Sequence, residues 1–295
     1  MRAVPAETLK RLAVRSDARG ALRLAIHVTL LAGGGLLIHL AWGTWWLAPA
    51  WVLQGAVIMA LFAPMHECIH YTAFRSRRIN EVVAFLCGAA IGHTAAYYRH
   101  FHIAHHRYTQ DPARDPELIT APEPRTRAQY WRRASGVDYW RTRVGQLWRL
   151  PLGRFDGLDY ILPAARPEIV RASRRLVGLY ALVVVASLAT GSWVAVISWL
   201  IPALLGNPLL RFYLMAEHGG CSNDDNAFSN TRTTLTHPFV RLLMWNMPYH
   251  AEHHLYPHIA FHQLPALHAL LRDRLAVVAT GYWSAHRAMR AGLVG

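Results

Sequence analysis

The sequence predicts an all-α integral membrane protein: four transmembrane helices in two hairpins, interfacial helices, and a cytosolic helical cap that holds a metal site. Three observations lead to this prediction. Only 16% of the 295 residues are charged and 53% are hydrophobic, whereas a soluble domain carries about 25% charged residues. Two long segments contain no charged residue. Eight of the 18 histidines lie in three short clusters.

The two uncharged segments predict the transmembrane hairpins. Residues 24–65 form a run of 42 residues, which fits two spans of about 20 residues each. A tight turn is expected at 42–44, and the tryptophans beside it suit the membrane interface. Residues 176–210 form a second run of 35 residues, broken by a polar turn at 189–192. A shorter apolar stretch, 82–98, is predicted to be a re-entrant or interfacial helix.

Charge predicts how these hairpins are oriented. The net charge of +14 comes almost wholly from arginine, since Lys10 is the only lysine. Arginines crowd the basic N-terminus 1–23 and the segment 66–175, whereas neither hairpin turn is charged. The positive-inside rule therefore places both segments, together with 211–295, in the cytoplasm. This charge fits anionic lipid, so no nucleic-acid partner is expected.

The whole chain, 1–295, is predicted to be one domain of the cell (inner) membrane. Its three cysteines are odd in number and lack paired spacing, so reduced thiols are expected rather than disulfides. Two aromatic-basic stretches, around 130–133 and 139–141, are typical of helices on the headgroup surface. An ordinary solvated basic face, or a docking surface for an acidic protein, explains them nearly as well.

The histidine clusters have the spacing of metal ligands. Histidines at i, i+3 and i+4 lie on one helix face about 5–6 Å apart at Cβ, so their nitrogens can converge on one or two metal ions. Imidazole binds Zn, Fe, Cu and Ni, which leaves the metal open. A single pair of this kind is usually structural, but three clusters in one chain are not. The clusters are His66 and His70; His102, His105 and His106; and His250, His253 and His254.

Two other classes of protein remain alternatives. His66-Glu67-Cys68-Ile69-His70 also matches the zincin motif, in which two histidines bind zinc and the glutamate activates water. A membrane-embedded zinc protease is therefore conceivable, yet its metal needs only three protein ligands, and this chain has two further histidine trios. A non-catalytic metal-binding membrane protein is the third class.

The order of the clusters resembles the membrane fatty acid desaturase superfamily, which also includes acyl-lipid hydroxylases, carotenoid ketolases and alkane hydroxylases. The resemblance covers about residues 24–275. It rests on the three boxes in this order, on Thr-Gln-Asp-Pro at 109–112, and on Asn-Met-Pro-Tyr-His-Ala-Glu-His-His at 246–254. The wording of these motifs is similar to bacterial desaturase-like proteins and hydrocarbon oxygenases.

The resemblance implies that the cap holds a di-metal site with two non-haem iron ions and uses O2 as co-substrate. One further histidine comes from the Glu-His-Gly-Gly stretch at 217–220. In some relatives an asparagine four residues earlier contacts iron through water, and Leu214 stands at that position here. The implied iron ligands are His66, His70, His102, His105, His106, His218, His250, His253 and His254.

Carboxylates beside these histidines are candidates to accept the free ring N–H of a ligand. The other histidines are expected to pack between helices or lie at the surface, with His93 and His100 close enough to the second box to support it. Pro248 and Pro257 are expected to limit the helix of the third box. The carboxylate candidates are Glu67, Glu217, Glu252, Asp111 and Asp115.

The family implies an oxidoreductase that acts on unactivated C–H bonds of a lipid-like substrate. A fatty acyl (acyl-lipid) desaturase is the favoured interpretation. A hydroxylase or ketolase acting on a fatty acid, alkane, carotenoid or other hydrocarbon is the alternative. Electrons are expected from a separate donor, a ferredoxin or a cytochrome b5-like protein with its reductase, and the substrate is expected to enter from the bilayer through an apolar tunnel.

Overall fold

The computed structural model describes residues 4–294, and the regular secondary structure within them is helical except for one pair of short strands. Four helical segments are long and apolar enough to cross a membrane. The predicted class, a helical membrane protein with four candidate spans, is therefore confirmed, and the strand pair is an addition to it. The four segments are Asp17–Leu40, Leu47–Ile69, Pro163–Thr190 and Val196–His218.

The first hairpin turns where the sequence predicted. Gly43 adopts a left-handed backbone (φ +75°), and the Thr44 hydroxyl donates a hydrogen bond of 2.7 Å to the carbonyl of Ala41. The second span runs beyond the uncharged segment, so the first histidine box lies on its last turns. The elements are α1 (Ala6–Leu12), α2 (Asp17–Leu40), α3 (Leu47–Ala60) and α4 (Phe62–Ile69).

The sequence predicted one re-entrant or interfacial helix at 82–98, but this apolar stretch is divided between two helices. It covers the end of α5 (Arg77–Ala90) and the start of α6 (Ala95–Tyr108), which are bent by 99° at the break between them. The break occurs because Gly92 adopts a left-handed backbone (φ +78°), while the carbonyl of Gly88 accepts two amides of the turn. The bend directs α6, with the second histidine box, towards the end of α4.

Short helices follow the second box. The two aromatic-basic stretches lie in α8 and α9, where Trp131 and Trp148 are exposed. Exposed indole rings next to arginines are typical of a membrane interface, so a position on the headgroup surface stays a prediction beside the two alternatives given above. The elements of this segment are α7 (Pro116–Thr120), α8 (Arg127–Ala134) and α9 (Val137–Arg149).

The second hairpin is longer than the uncharged run 176–210. Its first helix, α10 (Arg166–Thr190), begins ten residues before that run and ends at Gly191, which is left-handed (φ +61°). A π-helical turn, Val196–Leu200, leads into α11 (Ile201–His218). The helix therefore carries a histidine on its last turn, just beyond the apolar part.

The C-terminal part packs against the ends of these spans. The third box occupies a helix of only six residues, as its flanking prolines predicted. The two strands pair in parallel, with Thr233 opposite Val278, and tie the segment after α11 to the last helix. The elements are β1 (Thr233–Leu235), α12 (Pro238–Leu243), α13 (His250–Leu255), α14 (Leu264–Leu271), β2 (Val278–Thr280) and α15 (Tyr282–Ala291).

The second and fourth spans cross in backbone contact at two glycines. A Cβ added to Gly206 in α11 would lie 2.1 Å from the backbone carbon of Gly55 in α3, and one added to Gly55 would lie 2.0 Å from the carbonyl oxygen of Pro202. Small residues allow such an approach in membrane helices. The crossing holds the two spans together, so that their C-terminal ends can share one site.

We therefore expect Gly206→Ala to destabilise the protein, because the new methyl group forces the two helices apart. The expected loss is about 1–3 kcal/mol in the free energy of unfolding, measured by denaturant unfolding in detergent. Gly178→Ala in α10 is the matched control, since nothing lies within 4 Å of its added Cβ. Equal stability of the two variants would contradict the role assigned to the crossing.

Candidate metal centre

Four separate segments bring the nine clustered histidines together. His66 lies in α4 and His70 caps its C-terminus. The second box lies in the last two turns of α6, the third box in α13, and His218 is the last residue of α11. The i, i+3 and i+4 spacing places each box on one helix face, as the sequence had predicted. The structure thus brings together all nine residues that the resemblance implied as ligands.

Five of these histidines form one group whose ligand nitrogens all lie within 4.8 Å of one another. The Nε2 atom of His66 lies 2.7 Å from Nε2 of His102, and Nε2 of His106 lies 2.9 Å from the same atom. All three boxes contribute to this group. Its members are His66, His70, His102, His106 and His253.

A second group lies beside the first. The ligand nitrogens of His105, His218 and His254 also lie within 4.8 Å of one another. His250 joins them, since its Nε2 atom lies 3.1 Å from Nε2 of His218. The nine residues therefore divide into five and four, and each group offers several imidazole nitrogens that could hold a metal ion.

Asp115 holds the ring of His105. Its carboxylate oxygens lie 2.9 and 3.1 Å from Nδ1 of His105, so this N–H is the donor and Nε2 faces the second group. Burial by itself raises the pKa of Asp115, but the hydrogen bonds from His105 and from two backbone amides outweigh burial and lower the pKa below its ordinary value. The carboxylate is thus charged at neutral pH and fixes the orientation of a candidate ligand.

Two more rings of the second group are oriented by neutral oxygens. The Nδ1 atom of His254 lies 3.2 Å from the Thr109 hydroxyl, which itself donates to the carbonyl of His105. The Nδ1 atom of His218 lies 3.2 Å from the carbonyl of Asn230. Sequence reasoning did not single out either partner. Thr109 could have been found from the sequence, because it follows His105 by four positions and begins the Thr-Gln-Asp-Pro motif. Asn230 lies in a loop without a motif.

The five carboxylates named from the sequence have different partners in the structure. Glu217 lies 3.4 Å from Nδ1 of His250 and Glu67 lies 3.6 Å from Nδ1 of His66. Glu252 binds His268 and accepts a hydrogen bond from the Thr233 hydroxyl at 2.5 Å.

Asp111 contrasts with Asp115. Among the described residues, its side-chain bonds go to the amide of Ala113 and to Arg114, and none goes to a histidine. Asp111 is therefore a carboxylate of the turn and not the acceptor of a histidine N–H.

Several other histidines have structural partners. His27 accepts a hydrogen bond of 3.3 Å from the Trp245 indole, in line with the expected packing role. His93 accepts one of 2.7 Å from Arg143, and His100 lies 3.5 Å from Glu168. Neither forms a hydrogen bond with a histidine of the second box among the described residues, so neither supports that box directly. His268, expected to pack between helices or lie at the surface, binds the buried Glu252.

The donor set fits a transition metal. Burial lowers the pKa of His250, His253 and His254 well below the ordinary value, so these rings are neutral and each has a free lone pair. The Nε2 atoms of His70 and His254 are buried and have no hydrogen-bond partner among the described residues. An unpartnered buried nitrogen is costly, and metal coordination satisfies it. Imidazole nitrogens suit iron, copper, nickel and zinc.

One additional carboxylate lies between the two groups. An oxygen of Glu117 lies within 4.8 Å of ligand nitrogens of His102 and His105, which belong to different groups. Glu117 is in α7, two residues after Asp115, so the cap of that short helix positions both side chains. Leu214 offers no ligand atom to the second group. Glu117 is thus available as an oxygen donor where the asparagine of some relatives is absent.

The geometry does not favour the zincin interpretation. The group around His66 and His70 contains three more histidines, although a catalytic zinc needs only three protein ligands. The Glu67 carboxylate accepts a hydrogen bond of 2.7 Å from Thr72 and lies on the Nδ1 side of His66, away from the converging Nε2 atoms. It is therefore not placed to activate a metal-bound water.

Comparison with known proteins agrees with this site. The sn-1 oleoyl-lipid 12-desaturase of Synechocystis sp. is 25% identical over 259 residues, which cover 80% of this chain and 71% of that protein. The sphingolipid delta(4)-desaturase of Candida albicans is 23% identical over 246 residues, covering 76% of this chain and 61% of that protein. That of Drosophila melanogaster is 32% identical over 89 residues, 29% of this chain and 27% of that protein.

The profile of one family, described as fatty acid desaturase, matches residues 43–286. The match extends over most of the sequence. It includes both histidine groups and three of the four candidate spans. The chain therefore belongs to the fatty acid desaturase family.

Proposed function

We propose that this protein is an O2-dependent di-iron membrane oxidoreductase that desaturates the fatty acyl chain of a lipid. The observation that carries the proposal is the convergence of nine histidines, six of them buried and three half-buried, in groups of five and four near the ends of membrane-spanning helices. Membership of the desaturase family supports an oxidoreductase. The relatives named above act on oleoyl-lipids and sphingolipids, which supports a lipid as the substrate.

The nine histidines would hold two iron ions, with Glu117 as a further oxygen donor between them. Bound iron supplies the activation of O2 and the abstraction of hydrogen from an unactivated C–H bond. The balanced reaction takes two hydrogens from adjacent carbons, two electrons and two protons from outside, and one O2, and it gives an alkene and two waters.

The protein's own side chains would keep the ligands in place during this reaction. Asp115, Thr109 and the carbonyl of Asn230 each bind Nδ1 of a histidine, which fixes the tautomer and points Nε2 inwards. Buried aromatic rings, including Phe62 and Tyr98, pack beside the first group. They exclude water from the site, and a dry site protects a reactive oxidant from side reactions.

We further propose that the protein is in the cell (inner) membrane with both termini and the metal centre in the cytoplasm. The antiparallel hairpins return the C-terminal ends of the second and fourth spans to the side on which the first span begins, and arginines are concentrated there. A separate ferredoxin or a cytochrome b5-like protein with its reductase would supply the electrons on that side.

The reaction type can be tested by mass spectrometry of lipids and hydrocarbons from cells with and without the protein. Desaturation lowers the mass of the product by about two units, because two hydrogens leave. The control is His105→Ala, which removes a proposed ligand. A gain of one oxygen in the product would instead identify a hydroxylase, and no change in any lipid would contradict the proposed oxidoreductase.

Metal analysis tests the two groups separately. The wild-type protein should contain two irons per chain. His253→Ala and His254→Ala should each lower the iron content towards one, since each removes a donor from a different group. His258→Ala, at an exposed neighbouring position, is the control and should retain both. A single zinc that survives both ligand substitutions would refute the proposed centre.

Asp115→Asn should weaken iron binding by about 10–100-fold, the usual effect of removing the partner of a ligand histidine. The physical reason is that Asp115 is the charged acceptor for His105. Competition with a chromogenic chelator measures the affinity. Asp111→Asn makes the same chemical change on a carboxylate that pairs with Arg114, so its affinity should stay unchanged. Equal losses in the two variants would rule out the specific role of Asp115.

A further inference from the structure

A cavity of about 730 Å³ adjoins the metal centre. On the side of the metal it is lined by Phe62, Tyr98 and Leu214. The Tyr98 ring stacks on His102 at a centroid distance of 5.3 Å, and the Phe62 ring lies 6.1 Å from that of His66. The part of the cavity next to the candidate iron ligands is therefore apolar and aromatic, although the rest of its wall is not.

A second part of the lining, called the arginine wall below, carries arginines from three helices. Arg133 of α8, Arg143 of α9 and Arg211 of α11 line the cavity, and all three are half-buried. None of them forms an ion pair within the described range, where the arginine pairs involve other residues. Arg132 also lines the cavity, but it is neutralised by Asp138 at 2.8 Å.

The hydrogen-bonding capacity of this wall is largely unused. Arg143 donates to His93 and Arg133 to the carbonyl of Pro122 at 3.1 Å, yet the buried Nε–H of each has no partner among the described residues. No hydrogen bond of the Arg211 guanidinium is found in the described part of the chain. Burial also lowers the pKa of Arg133, as expected for a cation with little compensating charge.

Few carboxylates are available to balance these charges. The lining contains six arginines and three acidic residues. Asp138 is already paired with Arg132, and Glu123, which also accepts the amide of Gly220 at 3.1 Å, balances at most one further charge. Glu117 is the remaining acidic residue of the lining, and it faces the histidines. Burying a cation without a partner is expensive, and guanidinium groups match carboxylate and phosphate in geometry. The charge deficit is therefore one that an anionic ligand would compensate.

The two walls are close together. Arg143 donates to His93, whose ring centroid lies 5.1 Å from that of Tyr98, and Tyr98 in turn stacks on His102. Only two aromatic rings thus separate a guanidinium from a candidate iron ligand. A ligand that contacts both walls must have a charged group at a short, fixed distance from the carbon presented to the metal.

We propose that this cavity binds the substrate as an anionic amphiphile, with a free carboxylate or phosphate on Arg133, Arg143 and Arg211 and an apolar chain against Phe62 and Tyr98. This inference rests on the proposed function and narrows its substrate class. Neutral hydrocarbons and neutral glycerolipids lack the group that the arginines bind. The anionic group would also set which carbon of the chain reaches the metal.

Binding to the iron-loaded protein without reductant tests the proposal, because no turnover is then involved. Calorimetric titration in detergent would compare oleate, 1-oleoyl lysophosphatidic acid and methyl oleate. At least one of the two anions should bind about tenfold or more tightly than the neutral ester. The better of the two anions identifies the carboxylate or the phosphate as the natural group. Equal affinity of methyl oleate and both anions would overturn the proposal without any mutation.

Variants locate the charge effect. Arg211→Gln should weaken binding of the preferred anion by about 10–100-fold, the range for losing a charged hydrogen bond, and Arg211→Lys should restore part of it. Arg287→Gln, an exposed arginine of α15, should bind as the wild type does. If Arg211→Gln bound the preferred anion as tightly as the wild type, the proposal that this cavity binds the anionic group would be wrong.

The binding experiment and the turnover experiment test the two proposals separately. Charge-selective binding without an oxidised product, when reductant and O2 are supplied, would refute the proposed reaction and leave the anion site standing. Desaturation of a neutral lipid, together with binding that does not depend on charge, would refute the anion site and support the proposed reaction.

Discussion

The constraint on which the rest of the structure depends is that nine imidazole rings must stay neutral and point inwards within a space of a few ångströms. The nitrogens of the five-histidine group all lie within 4.8 Å of one another, and protonated rings at that distance would repel strongly. Burial lowers the pKa of His253 and His254 and so keeps these rings uncharged. His105 is the exception: burial lowers its pKa, but the nearby carboxylates of Glu117 and Asp115 outweigh burial and raise it. The spans, the bent helix pair and the C-terminal segment all contribute to this burial.

The two histidine groups are supported differently. In the group of four, Asp115 binds His105, Thr109 binds His254 and the carbonyl of Asn230 binds His218. In the group of five, Nδ1 of His66 and of His253 lacks a hydrogen-bond partner within residues 4–294. The group of five therefore depends mainly on the packing of its helices, with one long hydrogen bond of 3.5 Å between the Tyr98 hydroxyl and Nδ1 of His102. In the group of four, three rings are held by hydrogen bonds and only Nδ1 of His250 has no hydrogen-bond partner among the described residues. Each group consequently responds to a different kind of substitution.

The distribution of polarity is inverted relative to a soluble enzyme. Large apolar side chains such as Leu182 and Leu188 are exposed on the spans, where lipid would cover them, while arginines line a cavity. The sequence had suggested an apolar tunnel, and the cavity beside the metal centre is only partly apolar. Arg211 shows why the difference arises: it follows directly on the second uncharged run and lies one turn of α11 before Leu214, so the helix turns it towards the cavity.

The sequence by itself determined the helical membrane class, the approximate hairpins and the eight clustered histidines, because hydropathy and the i, i+3 and i+4 spacing are local properties. The ninth histidine, His218, was named only from the resemblance to the family. It did not determine that 82–98 breaks at Gly92, since that bend depends on a left-handed glycine packed against neighbouring elements. Only the tertiary structure decided which histidine joins which group, that Asp115 rather than Asp111 supports a ligand, and that Glu117 lies between the groups. These relations join residues far apart in the chain, and they are set by helix packing, above all by the contact of Gly55 with Gly206, which no local pattern encodes.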